Sequence, residues 1–129
     1  MRRVITFGTF DLFHIGHLNI IERAKAQGDH LIVGISSDKL NYRKKQKLPV
    51  CPQQSRLRIV EALKATNEVF YEESLELKAE YIKKYKADVL VMGDDWKGKF
   101  DHFKSICEVV YLDRTPSIST TELIEIIKK

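Results

Sequence analysis

The chain has 129 residues, of which 43% are apolar and 31% charged, and its formal net charge is +4. That length suits one domain with a self-sufficient core, and so mild and scattered a charge argues against nucleic-acid binding. Cys51 and Cys107 make neither a CxxC pair nor a Cys/His metal pattern, and no apolar run reaches the ~18 residues of a membrane span. Asp11 interrupts the apolar start too soon for a signal peptide, so a cytoplasmic protein without membrane insertion is expected.

Val4-Ile5-Thr6-Phe7 is β-branched and apolar, predicts a strand, and ends at Gly8. Helical spacing then begins, with Leu18, Ile21 and Ala24 on one face and Glu22, Arg23 and Lys25 on the other, until Gly28-Asp29 stops it. His30 to Ser36 is a nearly continuous apolar run, the pattern of a strand covered on both faces in a parallel sheet. Strand, helix and strand in succession form a right-handed βαβ unit. Ser37 to Pro52 reads as a helical turn leading into a basic loop with Arg43, Lys44, Lys45 and Lys47. A helix is predicted from Gln53 to Ala65, a strand over Glu68–Glu72, and an amphipathic helix from Leu75 to Tyr85. Ala87–Gly93 is a second buried-strand signal, Phe100 to Ile106 a short helix, and Cys107–Leu112 the last strand. Ser119 and Glu122 form a capping-box pair that opens a final helix. The succession predicts one α/β domain over residues 1–129, built around a mainly parallel sheet of about five strands.

Three predicted strands end in polar segments: Gly8 to His17, Gly93 to Trp96, and Asp113 to Thr121. Ligands of open α/β sheets sit at the carboxyl ends of strands, so the three together have the composition of a nucleotide-phosphate site. His14 and His17, three apart at a helix entrance, can point both rings to one side and stabilise a phosphoryl transition state. A capping histidine beside a core histidine is the bland alternative, and Gly8, Asp11 and Gly16 around the pair weigh against it. No third imidazole or thiolate has the spacing of a metal site. The stretch is neither a Walker loop nor a dinucleotide fingerprint, because it lacks the glycine spacing of both.

Gly8-Thr9-Phe10-Asp11-x-x-His14-x-Gly16-His17 resembles the signature of the HxGH nucleotidylyltransferase superfamily. Arg114-Thr115-Pro116-Ser117-Ile118-Ser119-Thr120-Thr121 resembles that superfamily's second signature, Arg-Thr-x-Gly-Ile-Ser-Thr-Thr. With Val91-Met92-Gly93-Asp94-Asp95-Trp96-x-Gly98-x-Phe100-Asp101 between them, nearly the whole chain closely resembles the small bacterial glycerol-3-phosphate cytidylyltransferases.

The resemblance implies a three-layer α/β/α Rossmann-like fold and a homodimer. It implies transfer of CMP from CTP to sn-glycerol 3-phosphate, giving CDP-glycerol and pyrophosphate for teichoic-acid or related polymers, with Mg²⁺ accompanying CTP. Gly8, Thr9, Phe10, His14, Ile15, Gly16 and His17 would then meet the nucleotide, with the two histidines on the transferring α-phosphate. Arg114, Thr115, Pro116, Ser117, Ile118, Ser119, Thr120 and Thr121 would close over it. Arg114, Ser119 and Lys45 would join the catalytic set. Asp95 would hold the nucleoside end, and Asp11 would orient substrates or help manage Mg²⁺. Lys45 would meet the glycerol phosphate, with Lys44 its possible substitute, and Lys47 would meet CTP. Arg56 and Lys78 would serve the acceptor side, although Lys78 by spacing alone is an ordinary surface residue of an amphipathic helix.

Departures from the family pattern are Ser117 in place of Gly, Pro116 before it, Lys64 in place of a nucleotide-contacting arginine, and Leu48-Pro49-Val50-Cys51-Pro52 in place of an aromatic, polar run. Alternative readings keep the chemistry and change an end: CDP-alcohol synthesis from phosphocholine or phosphoethanolamine, or adenylyl transfer to a sugar phosphate. A nucleotide-binding regulatory protein without turnover is the alternative of a different class. The intact histidine pair, with Ser119 and Thr120, argues against it.

Overall fold

The computed structural model describes residues 1–113 and 119–128. Among them, one five-stranded sheet has the order β3-β2-β1-β4-β5 and every pairing is parallel. The strands are β1 (Arg3–Gly8), β2 (His30–Ser36), β3 (Glu68–Glu72), β4 (Val89–Gly93) and β5 (Glu108–Leu112). The helices are α1 (Ile15–Lys25), α2 (Asp38–Lys45), α3 (Gln53–Glu61), α4 (Lys78–Lys84) and α5 (Thr120–Lys128). The chain builds outward from β1 to β3, then crosses to the other side of β1 for β4 and β5. That reversal leaves a crevice at the carboxyl ends of β1 and β4.

Alternation along the strands divides the core into two layers. Val4, Leu31, Val33, Val89 and Val91 face α1 and α3, meeting Ile21, Ala24 and Val60. Ile5, Phe7, Ile32, Leu90 and Met92 face the other way, toward Ile82 of α4 and the aromatic rings of Phe70, Phe100 and Phe103. The result is the expected three-layer α/β/α Rossmann-like arrangement. Gly34 is the one β2 position that must lack a side chain, because a Cβ there would come within 2.7 Å of both the Phe7 and Phe70 rings. Those rings meet edge to face at 5.9 Å.

Several bounds differ from expectation. The turn predicted after Ser37 is the full helix α2, started by the Ser37 hydroxyl accepting the Leu40 N–H at 3.1 Å. It stops at Gln46, whose φ is 60°. Lys44 and Lys45 therefore sit in a helical last turn, and only Lys47 belongs to the loop. Helix α3 ends at Glu61 rather than Ala65, as tight turns (Leu63 N–H to the Val60 carbonyl, Thr66 N–H to the Leu63 carbonyl) lead to β3. The segment beginning at Leu75 opens with a 3₁₀ turn over Leu75–Leu77 before α4, and the short helix expected near Phe100 is a 3₁₀ segment, Asp101–Ser105. No helix of the described residues is long and apolar enough to cross a membrane.

Candidate active site

A cleft of ≈ 1150 Å³ opens at the carboxyl ends of the strands. The β1–α1 connection forms its centre. Phe10 and Leu12 take φ of 54° and 49°, in the left-handed region that costs non-glycine residues energy. This contorted backbone buries the Phe10 ring against His17, with centroids 5.5 Å apart, and turns the chain sharply into α1.

The two histidines cap the helix they introduce. The His14 Nδ1 accepts the Gly16 N–H at 3.0 Å, and the His17 Nδ1 accepts the His14 N–H at 3.3 Å. This is a capping box built from imidazoles instead of Ser and Glu. The capping alternative for the pair is thus part of the answer: capping uses the two Nδ1 atoms and leaves the Nε2 atoms. With both Nδ1 atoms accepting, each neutral ring carries its proton on Nε2. The Thr120 hydroxyl donates to the Asp11 carbonyl at 3.0 Å and lies 3.4 Å from the His14 Nε2, where it can accept that proton's hydrogen bond. The rings stack with centroids 3.8 Å apart. Burial lowers the His14 pKa. Burial, followed by repulsion from His14, lowers that of His17 to about 4 against the opposing pull of Asp11. At neutral pH the pair is therefore a stack of neutral imidazoles with Nε2–H donors.

Asp11 is buried, and its two carboxylate oxygens accept the Val50 and Cys51 N–H groups at 2.7 and 2.8 Å. It ties the end of the basic segment to the histidine turn. Arg56 does the same from below. It is 1% exposed, and its guanidinium donates to the carbonyls of Cys51 (3.0 Å), Thr9 (2.8 Å) and Ser36 (2.8 Å) and to the Asp38 carboxylate (2.6 Å). With these four acceptors Arg56 is an internal brace, and it lies outside the cleft lining rather than facing the acceptor side as expected. Lys44, Lys45 and Lys47 do line the cleft. Lys44 reaches the Ser36 hydroxyl at 3.4 Å, and its pKa is lowered by burial, with Glu72 opposing.

Lys78 is the largest departure from the surface residue that spacing suggests. It is 4% exposed, and its Nζ donates to the Glu72 carboxylate at 2.6 Å. The same ammonium sits 3.8 Å from the centroid of the Phe7 ring and 5.3 Å from that of Phe100. Both Lys78 and Glu72 line the cleft. Glu72 escaped sequence reasoning, although an acid ending an apolar strand at the ligand side of the sheet was a usable signal. Asn41, which accepts the Thr9 hydroxyl at 2.9 Å and braces the carbonyls of Ser36 and Ser37, carried no signal at all.

Gly8, Thr9, Phe10, Gly16, Asp95, Ser119, Thr120 and Thr121 also lie on the cleft, with Trp96 beside Asp95. Ser119 caps α5, its hydroxyl accepting the Glu122 N–H at 3.1 Å as the capping box predicts. Ile15 points outward, 56% exposed and off the cleft lining, so the structure does not place it against a nucleotide. Lys64 is exposed in the α3–β3 connection. In a parallel sheet that connection enters at the amino ends of the strands, so Lys64 lies away from the cleft and off its lining. Arg114, Thr115, Pro116, Ser117 and Ile118 lie outside the described residues. Among the described residues, no group of three or more His, Cys, Asp or Glu could hold a metal ion.

A parallel Rossmann-like sheet with an HxGH turn at its switch point defines a nucleotidylyltransferase-type site. Residues 5–126 match the family described as Cytidylyltransferase-like, and the chain belongs to that family. It is 51% identical over 123 residues to the glycerol-3-phosphate cytidylyltransferase of Bacillus spizizenii, covering 95% of each chain. It is 49% identical to the Bacillus subtilis enzyme of the same name (97% and 96% covered) and 42% identical to that of Staphylococcus aureus (95% and 92%). Among solved structures, a lipopolysaccharide core biosynthesis protein from Thermoplasma volcanium superimposes with a TM-score of 0.79 at 24% identity, covering 89% of this chain and 98% of that one, a likeness of fold.

Proposed function

We propose that this chain transfers CMP from CTP to sn-glycerol 3-phosphate, releasing pyrophosphate and forming CDP-glycerol for teichoic-acid or related polymers. The observation that carries the chemistry is the stacked His14–His17 pair, whose Nδ1 atoms are consumed by capping so that Nε2–H donors serve a cleft at the switch point. The names of the near-full-length relatives carry the choice of CTP and glycerol 3-phosphate.

An acceptor phosphate oxygen attacks the α-phosphorus in line. The bond to the bridging oxygen breaks, and pyrophosphate leaves with that electron pair. The nucleophile is already ionised, so no general base is required. The work left to the protein is alignment and neutralisation of charge on the α-phosphate oxygens. Two neutral N–H donors suit that task, because they hydrogen-bond developing charge without surrendering a proton. Lys45 and Lys47 approach the acceptor phosphate and the triphosphate from the α2 end, with Lys44 beside them. Ser119 and Thr120 present hydroxyls on the cleft at the start of α5. Mg²⁺ enters with the triphosphate as part of the substrate, as suits an ion that prefers phosphate oxygens and water. Residues 1–129 act as one domain, in a homodimer.

The test is pyrophosphate release with each nucleoside triphosphate against glycerol 3-phosphate, phosphocholine, phosphoethanolamine and a sugar phosphate. Activity is expected with CTP and glycerol 3-phosphate, and a preference for ATP would overturn the reading. His14→Ala and His17→Ala are each expected to lower kcat by about 10²–10³. Parental turnover in both would remove the pair from the chemistry.

A further inference from the structure

Glu72 and the rings of Phe7 and Phe100 form a cation site: a buried carboxylate with aromatic faces converging on one position at the floor of the cleft. Carboxylate plus aromatic faces is the chemistry that recognises an ammonium head group. Here the chain's own ammonium fills it. The Lys78 Nζ is 2.6 Å from a Glu72 oxygen, 3.8 Å from the Phe7 centroid and 5.3 Å from that of Phe100. We propose that Lys78 occupies this internal cation site so that the acceptor end of the cleft rejects ammonium-bearing alcohol phosphates and takes a neutral, hydroxylated tail.

The sheet supports the placement. Glu72 ends β3, two strands from β1, and the Lys78 ammonium paired with it lies over Phe7 of β1, the strand that leads into the histidine turn. The pair lines the same cleft as His14 and His17, so an acceptor whose phosphate attacks beside the histidines can direct its carbon tail toward it. A paired ammonium and carboxylate offer a diol both a donor and an acceptor. A choline or ethanolammonium head meets the Lys78 charge instead, with the carboxylate already neutralised and the Phe7 face already covered. Specificity of this kind comes from a repulsive element built against the competitor. The Phe7 ring is held for the purpose, packed edge-on against Phe70 over Gly34.

The inference rests on the reading of the protein as a transferase acting on an alcohol phosphate, and the experiment separates the two. The ratio of kcat/KM for glycerol 3-phosphate to that for phosphocholine is measured in the parent, in Lys78→Met, and in Lys78→Met combined with Glu72→Gln, which removes the uncompensated buried charge if the single variant does not fold. Both variants are expected to lower the ratio at least tenfold. In parallel, choline chloride is titrated against each folded protein while thermal unfolding is followed. Choline is expected to raise the Tm of Lys78→Met, where Glu72 is freed, and to leave the parent unchanged. A ratio unchanged in whichever variant folds, or choline stabilising parent and Lys78→Met equally, overturns the proposal. Failure of the parent to use any alcohol phosphate overturns the transferase reading instead, and the choline titration still reports on the cation site.

Discussion

The two imidazoles of the HxGH turn divide their nitrogens. Their Nδ1 atoms finish the helix, and both residues line the cleft, which leaves their Nε2 atoms for the chemistry proposed above. This arrangement has a consequence in acid. His17 has its folded pKa at about 4, below the 6.5 of an unperturbed histidine, so in that interval the unfolded chain binds more protons than the folded one. The stability gained by keeping His17 neutral is complete above pH 6.5 and is lost as pH falls toward 4. Thermal unfolding followed from pH 7 to 4 should show Tm falling through this window, with a shallower fall in His17→Gln. The pair was legible in the sequence from its spacing and its glycines. Which nitrogen caps the helix was not, because that depends on the N–H groups of a turn whose left-handed residues, Phe10 and Leu12, carry no left-handed signature.

At the scale of elements, the cleft is assembled by two polar ties between segments remote in sequence. Asp11 fastens residues 50 and 51 to the end of β1, and Arg56 of α3 fastens the same segment, the turn after β1, the end of β2 and the start of α2. The lysines of α2 and its following loop are thereby anchored at both ends, where the sequence predicted only a helical turn leading into a basic loop. Replacing Arg56 with Met keeps the length of the stem but leaves three carbonyls and the Asp38 carboxylate without their donor. A loss of about 3 kcal/mol is expected, read as a lower urea midpoint with an unchanged slope. A folded variant with parental stability would show that the brace is dispensable. Elements themselves were well predicted, since strands covered on both faces and amphipathic helices are written in local periodicity. The shorter α3 and the 3₁₀ start of the Leu75 segment were not, because tertiary packing chooses where a helix frays.

For the whole molecule, the net charge of +4 is mild, yet Lys44, Lys45 and Lys47 are concentrated on one cleft. Dissociated phosphates approaching such a cleft are steered by a field that salt screens beyond about 8–10 Å. Raising NaCl from low to about 0.3 M at constant free Mg²⁺ should lower kcat/KM several-fold while changing kcat much less. A kcat that falls in parallel with kcat/KM would place the effect on the chemical step instead. The field needs the fold, because these lysines and the buried Lys78 come from α2, its loop and α4, which meet only where β2 and β3 end.

By itself the sequence determined the α/β class, the strand and helix succession, and the histidine turn with its partner segments, because periodicity, glycines and short motifs are local. Only the tertiary structure decided that Lys78 is a buried cation instead of a surface lysine, that Arg56 braces the chain with four acceptors, that Asp11 holds backbone amides, and that Lys64 lies at the other end of the sheet. Each of those outcomes depends on which groups come within ~3 Å of one another after distant segments pack. A charged residue announces its charge in the sequence, but its partner is chosen by the order of strands in the sheet.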